Sequence, residues 1–157
     1  MNIYLHNPKD FSNICTISRT LEFFGIHKCY IYDTNNLIRE KYGKSYSRKL
    51  RTQSAGAFEK IRFEKIEDYQ KFLENYSGRK VATVLDKNSG DLQDFSHKED
   101  DIILFGNETF GLPKEVIESA DEKIFIQGNG LTQSLNLSNS LAIIVYSIIS
   151  KNSHLKK

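Results

Sequence analysis

With 157 residues, a net charge of +2 at pH 7, 39% hydrophobic and 27% charged residues, the chain has the makeup of one ordinary globular domain, and its composition offers no case for disorder. Its longest apolar run, Leu141 to Ile149, falls far short of the roughly 20 residues of a membrane span, and Met1-Asn2-Ile3-Tyr4-Leu5-His6 lacks the basic start and apolar stretch of a secretory signal, so a cytoplasmic protein of a single domain over 1–157 is expected. Two cysteines, Cys15 and Cys29, exclude a disulfide framework and a zinc site, and no metal is expected.

In chain order, Met1 to Leu5 reads as a short opening strand. Ile14, Ile17, Leu21 and Phe24 share one helical face and predict a helix over Asn13 to Phe24, ended at Gly25. Lys28 to Tyr32 is a second strand rich in β-formers. Next, Lys41, Lys44, Arg48, Lys49 and Arg51 alternate with Tyr42, Gly43, Ser45, Tyr46 and Ser47, which reads as an exposed basic loop.

Further strands are expected at Ile61 to Phe63, Val81 to Leu85, Asp101 to Phe105 and Lys123 to Ile126, and helices at Ile66 to Tyr76, Lys114 to Ser119 and Leu135 to Lys151. This alternation predicts an α/β fold with a largely parallel sheet. Val81 to Leu85 and Ile102 to Phe105 are continuously apolar, as strands covered on both faces are, and are expected at the centre.

Ligands of open α/β sheets bind beyond the carboxyl ends of the strands. After Phe105 comes Gly106-Asn107-Glu108-Thr109-Phe110-Gly111-Leu112-Pro113, where two glycines bracket an acid and let backbone approach a ligand. After Ile126 comes Gln127-Gly128-Asn129-Gly130-Leu131-Thr132-Gln133, then Ser134-Leu135-Asn136-Leu137-Ser138-Asn139. One Ser or Asn there is ordinary capping. Asn136 and Asn139 in the opening turns of an apolar helix exceed that need and point to a polar ligand or a special backbone path.

Ile103 to Pro113 (ILFGNETFGLP) resembles motif 2 of the SpoU/TrmH-type methyltransferases of the SPOUT class, Gln133 to Ser140 (QSLNLSNS) resembles motif 3, and Asn13 to Thr20 (NICTISRT) resembles motif 1. The three stand in family order. The resemblance implies a SPOUT-type domain with helices on both faces of the sheet and a C-terminal deep trefoil knot. It further implies a homodimer, and S-adenosyl-L-methionine as the donor for 2′-O-methylation of a ribose in structured RNA. A tRNA is favoured, at a D-loop guanosine or the wobble position, over rRNA. Cys15, Gln127 and Ser147 depart from the residues common in the family, but none removes a proposed catalytic group.

Carried onto this chain, the resemblance assigns catalysis to Arg19, Asn13, Glu108, Ser134 and Asn136. Arg19 is a phosphate clamp rather than a base, because a guanidinium stays protonated. Asn13 has the plainer reading of helix N-cap, and Glu108 that of a surface acid or a partner of Arg19 across the dimer. The donor would be held by Thr83, Val84, Leu85, Gly106, Asn107, Glu108, Gly111, Ile126, Gly128, Leu131, Ser134, Leu135 and Asn136. Lys41, Lys44, Arg48, Lys49 and Arg51 would contact RNA phosphates, with Tyr42 and Tyr46 available for stacking and Lys151, Lys156 and Lys157 extending the patch. Two rivals predict other things. A knotted module without turnover would bind donor or RNA and transfer nothing, and a Rossmann-type binder would place a glycine-rich turn after the first strand, where Leu5-His6-Asn7-Pro8-Lys9-Asp10 has none.

Overall fold

The computed structural model describes residues 1–38, 44–132 and 134–154, without the side chains of 44–47, 50 and 152–154. Its strands are β1 (Asn2–His6), β2 (Lys28–Tyr32), β3 (Arg62–Lys65), β4 (Lys80–Thr83), β5 (Gly90–Asp91), β6 (Ile102–Phe105) and β7 (Glu122–Phe125). Its helices are α1 (Phe11–Phe23), α2 (Lys44–Gln53), α3 (Tyr69–Glu74), α4 (Lys114–Glu118) and α5 (Leu137–His154), with a 3-10 turn at Ala57–Lys60.

The strands form one sheet in the order β3-β2-β1-β6-β4-β7-β5, every pairing parallel. Because side chains alternate across a strand, neighbouring residues join different layers. Ile3, Leu5, Val81, Ile103 and Phe105 pack with Ile14, Ile17 and Leu21 of α1 and Leu141, Ile144, Val145 and Ile148 of α5. Tyr4, Ala82, Ile102 and Leu104 pack on the other side with Leu73 of α3 and Val116 of α4. The neighbouring strands β6 and β4, the two continuously apolar runs, are thus covered on both faces near the middle of the sheet, as expected, and β1 beside β6 is buried in the same way. Each fully buried Val, Leu or Ile stabilises this arrangement by about 1.5–3 kcal/mol, and α5 supplies four such residues, Leu141, Ile144, Val145 and Ile148, to one layer.

Element ends differ from the sequence expectations where capping groups act. Asp10, not Asn13, caps α1: its side chain accepts from the Ser12 N–H at 2.7 Å, so Asn13 sits inside the helix. Asp68 caps α3 by accepting from the Lys71 N–H at 3.0 Å and starts the helix at Tyr69 instead of Ile66. The basic stretch is helical from Lys44, not a loop. Lys, Arg and Gln are good helix formers, and the loop reading came from Gly43 and from Ser45 and Ser47 interleaved with the charges. Strand β5 was not expected, since it joins β7 through main chain alone and carries no apolar pattern.

Candidate active site

Strands β6, β4 and β7 are neighbours, so the loops leaving their carboxyl ends converge. Between them lies a cavity of about 810 Å³, lined by Thr83 at the end of β4 with Val84 and Leu85 after it, Gly106 to Thr109 and Gly111 after β6, and Ile126 to Gly128, Gly130 to Thr132, Ser134 and Leu135 after β7. Phe105, Ile124, Leu137 and Ile144 also line it. All the residues expected to hold a methyl donor border this one cavity except Asn136.

Asn136 precedes α5 rather than lying within it. Its carbonyl accepts from the Ser140 N–H at 2.9 Å, and its side-chain oxygen accepts from the N–H and hydroxyl of Ser138 at 2.8 and 2.7 Å. It is therefore the helix cap, which accounts for an asparagine in a position that looked costly for a helix interior. Gln133 lies outside the described residues.

The loop after β6 is locked on itself. Asn107 and Gly111 exchange two main-chain hydrogen bonds at 3.1 and 3.0 Å, and the Asn107 side chain accepts from the N–H groups of Thr109 and Phe110 at 2.9 and 2.7 Å. The return is so close that a Cβ on Gly106 would lie 2.1 Å from the Gly111 carbonyl carbon. Gly111 itself has φ +68°, a left-handed turn that favours glycine.

This loop presents Glu108 to the segment between β1 and α1. The carboxylate accepts from the N–H groups of Lys9 and Asp10 at 2.9 and 3.2 Å and from the Asn13 side-chain amide at 2.7 Å. Burial pushes the Glu108 carboxyl up, but these donors outweigh it, Asn13 foremost, and hold it below the usual glutamate range. Glu108 is neither a free surface acid nor a partner of Arg19 within the chain; it ties motif 2 to motif 1. Sequence spacing could not show this, since Asn13 and Glu108 lie 95 residues apart.

Arg19 lies elsewhere. It is exposed on α1 and lines a shallow, mostly apolar groove between α1 and α5 with Thr16, Thr20, Phe23, Phe24, Ala142, Ile143 and Tyr146. Phe23 and Tyr146 are 80% and 62% exposed there. The structure therefore brings Asn13, Glu108 and Ser134 to one region and leaves Arg19 outside that cavity of its own chain.

Of the basic residues, Arg48, Lys49 and Arg51 are exposed on α2, and none of the three forms an ion pair among the described residues. Lys41 and Tyr42 lie outside the described residues, as do the side chains of Lys44 and Tyr46, and Lys156 and Lys157. Lys151 donates to the carbonyls of Leu92, Gln93 and Phe95, so it buttresses the turn after β5 rather than extending a patch. Both cysteines are free and buried.

The SpoU rRNA Methylase family model matches residues 1–146. The chain belongs to this family. The tRNA (guanosine(18)-2′-O)-methyltransferase of Aquifex aeolicus (strain VF5) is 30% identical over 147 residues, which are 92% of this chain and 66% of that protein. The chain therefore spans just under two thirds of that relative. The crystal structure of the A. aeolicus TrmH/SpoU tRNA modifying enzyme superposes with a TM-score of 0.83 at 27% identity, covering 99% of this chain and 76% of that one. The SpoU methyltransferase AviRb from Streptomyces viridochromogenes, in complex with the cofactor AdoMet, shares the fold with a TM-score of 0.78 at 20% identity, over 98% of this chain and 61% of that one. Its parallel sheet with helices on both faces is thus the fold of this family. Among the described residues no helix is long and apolar enough to cross a membrane.

Proposed function

We propose that the chain is an S-adenosylmethionine-dependent 2′-O-methyltransferase of tRNA. The observation that carries this reading is the cavity made by the β4, β6 and β7 loops, whose lining unites motif 2 and motif 3 of a SpoU family member. AviRb, with the same fold, holds AdoMet, and the A. aeolicus relatives act on tRNA.

The cavity fits an adenosine-sized ligand. Its volume lies within the range of about 300–1,000 Å³ common to small-molecule sites. Moreover, a Cβ on Gly128 would meet no protein atom within 4 Å, and the backbone there is not left-handed. Glycine at this position has no internal reason, whereas close approach of a ligand supplies one.

Bound there, S-adenosylmethionine would supply a methyl group on a sulfonium centre. Gly106 to Thr109 and Gly111 of the β6 loop, with Ile126 to Gly128, Leu131, Ser134 and Leu135 after β7, would hold it, largely by main chain. Glu108 and Asn13 fix the β1–α1 segment against the cavity and so set the position of the reacting ribose.

Arg19 reaches a cavity only in a second copy. We read the α1–α5 groove as the homodimer face, which brings Arg19 of one protomer to the other's cavity and covers Phe23, Ile143 and Tyr146. Its fixed positive charge clamps an RNA phosphate beside the ribose, and that phosphate takes up the hydroxyl proton. Arg48, Lys49 and Arg51 on α2 contact further phosphates. The C-terminal segment that runs through Ile126 to Asn136 into α5 is read as the knotted part of the fold. A tRNA substrate places the protein in the cytoplasm.

The test is transfer of a labelled methyl group from S-adenosylmethionine to separated unmodified tRNA and rRNA, followed by mapping of the modified ribose. Label on one tRNA ribose, at the D-loop guanosine or the wobble position, is the expected result. Donor binding with no transfer to either fraction would favour a binding module instead.

A further inference from the structure

Leu85, Leu131 and Leu135 are exposed apolar residues that line the cavity itself, whereas Phe110, beside it on the β6 loop, is the exposed one with an aromatic ring. Its ring is 78% exposed, which costs hydrophobic free energy, and no apolar burial inside the chain offsets it. The exposure is not that of a slack loop. The Phe110 N–H is held by Asn107, and both flanks are fixed by the Asn107–Gly111 main-chain pair. The ring is therefore projected outward from a rigid support, two residues from Glu108.

Charge around the ring says what it meets. The Lys9 ammonium sits 4.4 Å from the ring centroid, while the Lys9 N–H is bound to Glu108. Two residues further on, the Phe11 ring carries the Lys49 ammonium at 5.6 Å, and Lys49 belongs to α2 with Arg48 and Arg51. Lys49 and Lys9 thus stand on either side of the start of α1, between α2 and Phe110, while the Asp10 and Glu108 carboxylates of the same stretch are engaged by the N–H groups of Ser12, Lys9 and Asp10 and by the Asn13 amide. An apolar partner protein gains nothing from these cations; a polyanion with flat aromatic faces matches both features.

We propose that Phe110 is the platform on which a base of the RNA substrate stacks beside the methylated ribose, with Lys9 holding an adjacent phosphate. The role rests on the RNA methyltransferase reading given above. Stacking on a pinned ring orients the nucleotide before its ribose enters the cavity, so Phe110 sets RNA affinity and leaves donor binding alone.

The chain has no tryptophan, so Phe110→Trp introduces a single indole whose emission reports on the ring itself. With an unmodified tRNA transcript as probe, Phe110→Ala and Phe110→Leu are expected to weaken binding and raise KM for the transcript about tenfold, since base stacking on an aromatic ring is lost in both. Affinity for S-adenosylmethionine stays at the wild-type value. Phe110→Trp keeps wild-type binding, and its emission is quenched by the transcript. Wild-type binding and KM in Phe110→Leu overturn the platform, because a leucine has no π-face. So does indole emission that responds to protein concentration and not to RNA, which assigns the ring to a contact between copies. A wild-type protein that neither binds nor methylates any tRNA or rRNA overturns the methyltransferase reading, and the platform with it.

Discussion

The Asn13 side-chain amide donates to the Glu108 carboxylate at 2.7 Å from inside α1, where Asn13 is only 3% exposed. Together with the Lys9 and Asp10 N–H groups it surrounds Glu108 with donors alone. Glu108→Gln is therefore not conservative, because it sets an NH₂ against N–H groups. A loss of about 1 kcal/mol in unfolding free energy is expected, a modest figure since the carboxylate is partly in water. Methyl transfer should fall with it as the β1–α1 segment loosens. Urea unfolding of both proteins checks the first, and unchanged stability would show that Glu108 does not bind the two motifs together.

His6 offers a second test. Burial at the end of β1 lowers its pKa to about 4, against a smaller opposite pull from Glu115, and its Nδ1 lies 2.8 Å from the Tyr4 hydroxyl. The unfolded chain's histidine takes up a proton near pH 6.5 while the native one stays neutral. The contribution of His6 is thus full above pH 6.5 and is lost as pH falls toward about 4. On the order of 1–3 kcal/mol is at stake over that interval. His6→Gln should show a flatter decline of unfolding free energy between pH 7 and 5 than wild type; parallel curves would remove His6 as the cause.

What could be read from the residues in advance follows from how local each signal is. Lys28 to Tyr32 and Ile102 to Phe105 stand where expected because strand patterns and burial on two faces are written in consecutive residues. The loops after Phe105 and Ile126 were legible for a related reason, because in a parallel sheet the residues after the strands share one end, whereas Thr83 to Leu85 and the individual donor-holding residues came from the family resemblance. Asn136 was misread because capping depends on where a helix begins, a matter of one residue. The role of Asn13 was hidden for the opposite reason, since its partner arrives from β6 across the sheet. The α2 helix was missed because its charges have neither apolar period nor acidic partners to mark a face.

Arg19 can be tested without any dimer structure. If it serves the partner's cavity, an Arg19→Ala protomer has an intact cavity but no clamp for its neighbour, and a protomer with Gly106→Val has the reverse. Each homodimer should be inactive, and mixing after subunit exchange should restore about one quarter of wild-type activity, because half the dimers are mixed and each has one whole site. No recovery in a mixture shown to exchange subunits would put Arg19 to work in its own chain.

Two glycines of the cavity separate support from ligand space. Alanine at Gly106 drives its Cβ to 2.1 Å from the Gly111 carbonyl carbon and 2.2 Å from the Leu112 nitrogen, main-chain atoms that cannot move without opening the loop. Gly106→Ala should lose at least about 2 kcal/mol of stability. Alanine at Gly128 meets no protein atom within 4 Å and needs no left-handed backbone, so thermal unfolding should stay within about 1–2 °C of wild type. Its methyl group instead occupies cavity volume, and S-adenosylmethionine affinity measured by calorimetry should drop roughly tenfold, the effect of about 1.4 kcal/mol. Full donor affinity in Gly128→Ala would place the cofactor away from this loop, whereas loss of affinity at wild-type stability is what a ligand lying against Gly128 requires.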